Sequence, residues 1–242
     1  MSPIKTFQNE VAENIKRQGA NKELKAKTLE YLKSLGDYGC NFSWMGRPII
    51  QLPQDIIAMQ EIIWNVKPDL IIETGIAHGG SILFCSSMME MMGIDGQVLG
   101  LDIDIRTHNF GEIVHHPMYK RITMIEGSST DERIVQKVRK FSEGKSRILV
   151  CLDSNHTHEH VLRELQLYAP LVTLGSYCIV FDTIIEDMPD DDFHDRPWGP
   201  GNNPKTAVWE YLKHNDRFEI DKSIEDKLLM TAAPDGYLKC IK

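Results

Sequence analysis

Short apolar runs recur along the chain from Leu70 onward, at Leu70–Glu73, Val98–Asp102, Ile122–Glu126, Ile148–Asp153 and Tyr177–Asp182. Stretches with helical spacing of apolar positions, Ser81–Met92, Asp131–Phe141 and His156–Tyr168, lie between several of them. Continuously apolar strands alternating with amphipathic helices predict an α/β protein whose parallel sheet is covered on both faces. Ahead of this block, Phe7 to Leu35 is charged and helix-prone, with an interruption near Gly19-Ala20-Asn21. A loop rich in aromatic residues and glycine follows from Gly39 to Gln51, and Pro53 suits the first turn of a helix reaching about Val66. Phe218 to Ile241 lacks helical spacing and predicts short strands around the turn Pro234-Asp235-Gly236. The expected architecture is a doubly wound sheet, mostly parallel with an antiparallel strand near the C-terminus. Residues 41–242 form its one domain, and residues 1–40 are a helical extension.

Composition narrows the class. With 242 residues, 42% of them hydrophobic, the chain can bury a full core. A net charge of -8 with no basic face argues against nucleic acid as a partner. Cys40, Cys85, Cys151, Cys178 and Cys240 are odd in number, widely spaced and free of C-x-x-C pairs. They therefore imply neither a zinc ribbon nor a disulfide framework, and fit a reducing compartment. The N-terminus carries no apolar leader, and nowhere are there 18 consecutive apolar residues. A cytoplasmic protein without a membrane partner is expected.

Four of the five apolar runs end in a carboxylate, Glu73, Asp102, Asp153 and Asp182, and Glu126 makes a fifth. One such acid can simply cap the next helix, but five fall on the sheet edge where open α/β folds bind ligands. The first run enters Glu73-Thr74-Gly75-x-x-x-Gly79-Gly80-Ser81. A dinucleotide turn has the spacing G-x-G-x-x-G; here the glycines are spaced differently and an acid precedes them. That acid repels a pyrophosphate and suits an ammonium or sulfonium. Asp102, followed by Ile103, can accept hydrogen bonds from ribose hydroxyls, and Gly127-Ser128-Ser129 follows the third run. Together these residues fit S-adenosylmethionine.

The stretch Asp153-Ser154-Asn155-His156-Thr157-His158-Glu159-His160 supports two chemistries. The spelling H-x-x-E-H over His156–His160 matches a zinc-hydrolase motif. Alternatively, His156 serves Asp153 while His158 and His160 lie on a solvated helix face. His156 and His160 would share one face of a helix. Asp182 closes the run expected beside the one ending at Asp153, and two neighbouring carboxylates repel unless a cation or proton lies between them. Oxygen ligands on rigid strand ends favour Mg²⁺.

With these residues in view, the chain resembles the cephalosporin hydroxylase-like and rhamnosyl O-methyltransferase family of class I S-adenosylmethionine-dependent enzymes. The resemblance runs from about Asn41 to the C-terminus. It is carried by Gly46-Arg47-Pro48-Ile-Ile-Gln51-x-Pro53, Glu73–Ser81, Leu152-Asp153-Ser154-x-His156, Phe181-Asp182-Thr183 and Arg196-Pro-Trp198-Gly-Pro-Gly201-Asn-Asn-Pro204. It implies a Rossmann-like methyltransferase sheet and O-methylation of a sugar or a glycosylated or secondary-metabolite acceptor. Glu73, Thr74, Gly75, Gly80 and Ser81 would hold the methionine part of S-adenosylmethionine or S-adenosylhomocysteine. Asp102 with Ile103 would meet the ribose, and Gly127 with Ser128 or Ser129 the adenine. Asp153 would also touch the cofactor; Asp153 and Asp182 match metal-ligating acids for Mg²⁺, and Asp153 or His156 would take the acceptor's proton. The chain departs at Phe181, where some members carry a third acid; weak Mg²⁺ binding, recruitment of Asp187 and binding only with substrate stay open. A catalytically silent S-adenosylmethionine-binding protein is the remaining alternative. The charged N-terminal helices suit an interface between copies of the chain. The loops Phe42–Gln51 and Met188–Pro204 are expected to cover the acceptor, with Asp190-Asp191-Asp192 facing water.

Overall fold

The computed structural model describes residues 3–242. Its helices are α1 (Pro3–Ala20), α2 (Lys22–Lys33), α3 (Pro53–Val66), α4 (Gly80–Met91), α5 (Thr107–Val114), α6 (Glu132–Ser142), α7 (His158–Tyr168), α8 (Pro204–Lys213) and α9 (Lys222–Leu228). A small hairpin, β1 (Phe42–Trp44) and β2 (Arg47–Ile49), precedes the main strands β3 (Leu70–Thr74), β4 (Gln97–Asp102), β5 (Ile122–Glu126), β6 (Ile148–Leu152), β7 (Tyr177–Val180), β8 (Phe218–Ile220) and β9 (Tyr237–Cys240). The main sheet has the order β5-β4-β3-β6-β7-β9-β8, in which β9 pairs antiparallel with both its neighbours and the other pairings are parallel. This is the expected doubly wound, mostly parallel sheet with a reversed strand near the C-terminus.

Successive strand residues feed opposite faces, as the period of two requires. Leu70, Ile72, Val150, Leu152 and Val180 pack with Val135, Leu165 and Val208, so α6, α7 and α8 cover one face. Ile71, Val98, Leu149, Cys151 and Ile179 pack with Ala58, Ile62 and Leu83, which puts α3 and α4 on the other. Phe181 is 3% exposed and belongs to this second layer, so it points into the core and not toward the acids.

Three local readings need correction. The loop from Gly39 to Gln51 contains the hairpin, which its short three-residue strands and the turn at Met45-Gly46 had hidden. The segment 222–228 is a helix, α9, started by Asp221 accepting from the Ser223 N–H; only seven residues long, it is too short to display periodicity. Helix α7 begins at His158 and leaves His156 in the preceding loop, so His156 and His160 do not share a helical face. In the N-terminal extension α1 and α2 bury no residue fully, and Lys25 reaches Asp226 at 2.6 Å to tie the extension to α9.

The candidate active site

The chain leaves β3 for β4 and β5 in one direction and returns to β6 and β7 in the other. Between β3 and β6 the order reverses, and the crevice beyond their carboxyl ends is where such folds bind ligands. Gly75 has φ +90°, and a Cβ there would fall 1.9 Å from the Asp153 carbonyl oxygen. Only glycine lets the turn after β3 pass this close to the chain leaving β6. Gly75→Ala should therefore displace the turn by more than a side-chain adjustment. We expect it to weaken S-adenosylhomocysteine binding by about a hundredfold, the scale of an ångström-sized misplacement; calorimetric titration checks this.

Two clefts adjoin along this edge and share Gly75 and Ser154. The first, about 290 Å³, is lined by Leu101, Asp102, Ile103, Gly127, Ser128, Ser129, Asn155 and His160 besides the shared pair. The second, about 220 Å³, lies between the hairpin's exit and the acids, with Gln51, Gly80, Ser81, Asp153, His156 and Asp182 on its wall. All the nucleoside-side residues expected from the sequence thus meet in one cleft, and the acids meet in its neighbour. Thr74 and Glu73 are buried behind the turn and line neither.

Asp102 does more than face the first cleft. Its carboxylate accepts from the Ile76 and Ala77 N–H groups at 2.8 and 3.1 Å and from Asp104 at 3.1 Å, and so holds the glycine turn in place. A carboxylate has about four acceptor positions, which leaves room for a ribose hydroxyl. Glu73 accepts from the Ser81 hydroxyl across the turn. It is 4% exposed, and burial pushes its carboxyl up to about 7 despite that hydrogen bond. Arg47 of the hairpin donates to the His78 carbonyl at 2.9 Å and to Asn109 at 2.8 Å, which seats the hairpin on the far side of the turn.

In the second cleft Asp153, His156 and Asp182 bring one ligand atom each within 4.8 Å of one another. Asp182 has φ +55°, a left-handed conformation that aspartate tolerates better than most residues and that concentrates at functional sites. The His156 Nε2 lies 3.4 Å from an Asp182 oxygen, and its ring meets Trp198 edge-to-face at 4.8 Å. Burial, then the negative charges of Asp182, Glu73 and Glu164, hold the Asp153 carboxyl well above the usual carboxylate range. A half-buried carboxyl facing three other acids is a place for a cation. The two carboxylates supply the oxygen donors that a hard divalent ion takes, with His156 beside them. Asp187 is not part of this cluster: its carboxylate pairs with Lys205 at 2.5 Å. The third member of the cluster is His156.

The zinc-hydrolase reading does not survive the structure. His158 Nδ1 bonds Thr206 Oγ1 at 2.8 Å, and His160 Nε2 lies 3.1 Å from Ser129 Oγ on the nucleoside side. Among the described residues the H-x-x-E-H histidines therefore serve three different places, and no zinc cluster forms from them. His160 belongs to a cleft wall where a solvated face was expected. Ser154, Asn155 and Gln51 were also missed as lining residues; the first two sit inside a motif whose histidines drew the attention, and Gln51 inside one read as a loop. Asp190, Asp191 and Asp192 are exposed, as expected.

Comparison with known proteins agrees with this geometry. The description "Rhamnosyl O-methyltransferase/CmcI" matches residues 36–241. The rhamnosyl O-methyltransferase of Mycobacterium tuberculosis (strain ATCC 25618 / H37Rv) is 30% identical over 203 residues, covering 81% of this chain and 77% of the relative. That of Mycobacterium leprae (strain TN) is 31% identical over 200 residues, covering 81% and 82%. Among solved structures, CmcI with Mg and SAM superposes with a TM-score of 0.57 at 20% identity, covering 84% of this chain and 78% of that one. An O-methyltransferase from Bacillus cereus in complex with SAH gives 0.52 at 12% identity, covering 82% of each chain. At these identities the structures establish the shared fold, and the sequence matches establish the family. The chain belongs to the rhamnosyl O-methyltransferase/CmcI family and is an S-adenosylmethionine-dependent O-methyltransferase.

Proposed function

We propose that the enzyme methylates a hydroxyl of a sugar or of a glycosylated secondary metabolite, assisted by Mg²⁺ at Asp153 and Asp182. The observation that carries this reading is the gathering of Asp153, His156 and Asp182 in a cleft that opens, through Gly75 and Ser154, onto the nucleoside cleft. The names of the mycobacterial relatives support a saccharide acceptor. In this arrangement the adenosyl group occupies the first cleft and the methionine end lies at the start of α4, beside Gly80 and Ser81. The sulfonium methyl then points into the second cleft.

The methyl group is already activated, so the protein must align an oxygen behind it and remove that oxygen's proton. The sulfur–methyl bond breaks as the oxygen–methyl bond forms, the sulfur keeps the electron pair as a thioether, and the proton passes to His156 or Asp153. Asp182, 3.4 Å from the ring, orients His156. When bound, Mg²⁺ stabilises negative charge on the acceptor oxygen. Trp198 braces the imidazole from the Met188–Pro204 loop. The chain works without nucleic acid, in the cytoplasm; no helix of the described residues is long and apolar enough to cross a membrane. The exposed apolar residues Ile4, Phe7 and Val11 on one side of α1 support self-association through the extension.

Incubation with methyl-labelled S-adenosylmethionine and a panel of rhamnosides and other glycosides, with Mg²⁺ or with chelator, tests this. Label transfer to a glycoside that Mg²⁺ stimulates is the expected result; cofactor binding without transfer to any saccharide would sink the acceptor assignment. His156→Ala should lower kcat by about two to three orders of magnitude, the usual worth of a general base. The loss should fall on kcat and leave S-adenosylhomocysteine affinity unchanged, whereas a merely structural His156 would lose both.

A further inference from the structure

The floor of the nucleoside cleft contains a hydrogen-bond relay. Ser154 Oγ donates to Glu164 Oε1 at 2.7 Å, and His160 Nε2 lies 3.2 Å from the same Ser154 oxygen and 3.4 Å from the same carboxylate oxygen. Ser129 Oγ stands 3.1 Å from Nε2, and Tyr168 donates its hydroxyl to the Ser129 carbonyl. Glu164 is 0% exposed on α7, its Oε2 has no hydrogen-bond partner, and His160 is the only basic side chain paired with it among the described residues. A buried carboxylate so poorly compensated is unfavourable for the fold alone.

The direction of the relay decides the tautomer of the ring. A hydroxyl that gives its proton to a carboxylate can only accept from the imidazole, and the carboxylate itself can only accept. Both place the neutral ring's proton on Nε2. Nδ1 is then an acceptor, and it has no partner among the described residues. Asp102 takes the ribose end of the cleft and the start of α4 takes the methionine end, which leaves the Ser128–Ser129–His160 end for the base.

We infer that His160, held in its Nε2-protonated tautomer by Ser154 and Glu164, reads the exocyclic amine of the cofactor's adenine through Nδ1. His160 is thus a specificity-determining residue and Glu164 a positioning residue. The inference rests on the adenosyl group lying in the first cleft. An amine donates to Nδ1, whereas the keto oxygen of a hypoxanthine base meets it lone pair to lone pair, which a site built for a donor rejects.

Calorimetric titration with S-adenosylhomocysteine and its deaminated analogue S-inosylhomocysteine tests the assignment. The wild type should bind the adenosyl ligand at least about tenfold more tightly, roughly one hydrogen bond's worth. In His160→Ala the ratio should fall to within about twofold of unity, because the group that distinguishes amine from keto is gone. Glu164→Gln has nearly the shape of the native side chain and removes a buried charge, so it should fold. Its amide can donate as well as accept, which frees the tautomer and lowers the same ratio. A ratio in both variants equal to the wild type's overturns the assignment and leaves the cofactor site standing. Failure of the wild type to bind either nucleoside overturns the placement of the cofactor and this assignment with it.

Discussion

Asp153→Asn is expected to lower kcat/KM for methyl transfer by about three orders of magnitude while changing S-adenosylhomocysteine affinity by less than about tenfold. The asymmetry follows from position. Asp153 lines the second cleft, where the proposed function puts acceptor, proton and cation, and is absent from the wall of the first. The asparagine keeps the shape of the side chain and removes the charge that, with Asp182, makes the cluster attractive to a divalent ion. Chelator should reproduce the loss in the wild type and add little in the variant, because both remove the same interaction. The fold should not suffer: an acid surrounded by Asp182, Glu73 and Glu164 is relieved, and not stripped of a partner, when it becomes neutral. Initial rates with labelled cofactor, with and without chelator, decide the matter. Equal rates in variant and wild type would remove both the metal and Asp153 from the reaction.

Glu73→Gln should raise the melting temperature at pH 8 and at the same time weaken cofactor binding. In the folded protein burial lifts the Glu73 carboxyl from an ordinary 4.5 to about 7. Between those values the fold holds a proton that the unfolded chain has lost. Stability is therefore greatest below about pH 4.5, declines as pH rises toward 7, and remains lower by on the order of 3 kcal/mol above that. Glutamine keeps an oxygen to accept from Ser81 and has no charge to bury. For a chain of this length the gain at pH 8 corresponds to roughly 5–10 °C. Asp55, which accepts from Thr231, Ala232 and Tyr237 yet is pushed up to about 6 by burial, contributes a decline of the same sign that ends near pH 6. Melting curves at pH 5 and pH 8 should thus show a large difference between variant and wild type only at pH 8. The cost lies in binding, because the sulfonium and ammonium of S-adenosylmethionine lose a buried counter-charge. About a tenfold weakening is expected, equal to one pKa unit of coupling. A variant that melts like the wild type at pH 8 would show that Glu73 is not a destabilising buried acid.

The legible parts of the site were those written in contiguous sequence. The glycine turn after β3 announced itself because an apolar run, an acid and closely spaced glycines have one joint use, and Gly75 sits against the Asp153 carbonyl as that use demands. Asp102 and Ser128 were legible for the same reason, each following its own strand. Three histidines two residues apart were harder. His156, His158 and His160 look equivalent along the chain, yet they bond Asp182, Thr206 and Ser129, which arrive from three different elements. Asp187, close in sequence to Asp182 and left open as a further ligand, is captured by Lys205 from α8.

Hydrophobic period, strand-end acids and glycine spacing are local properties, and they indicated the doubly wound sheet, its reversed C-terminal strand and the edge on which the acids gather. Periodicity decides which face of an element is buried, and burial drives the layers together. The partners of each polar side chain belong to the tertiary structure. It turned Phe181 into the core and made His156 the third member of the Asp153–Asp182 cluster. It also placed Glu164, an ordinary helix residue by sequence, behind Ser154 and His160 as a buried acid. Those pairings are decided by distances between elements far apart in the chain, and hydrogen bonds and charges act only over such distances.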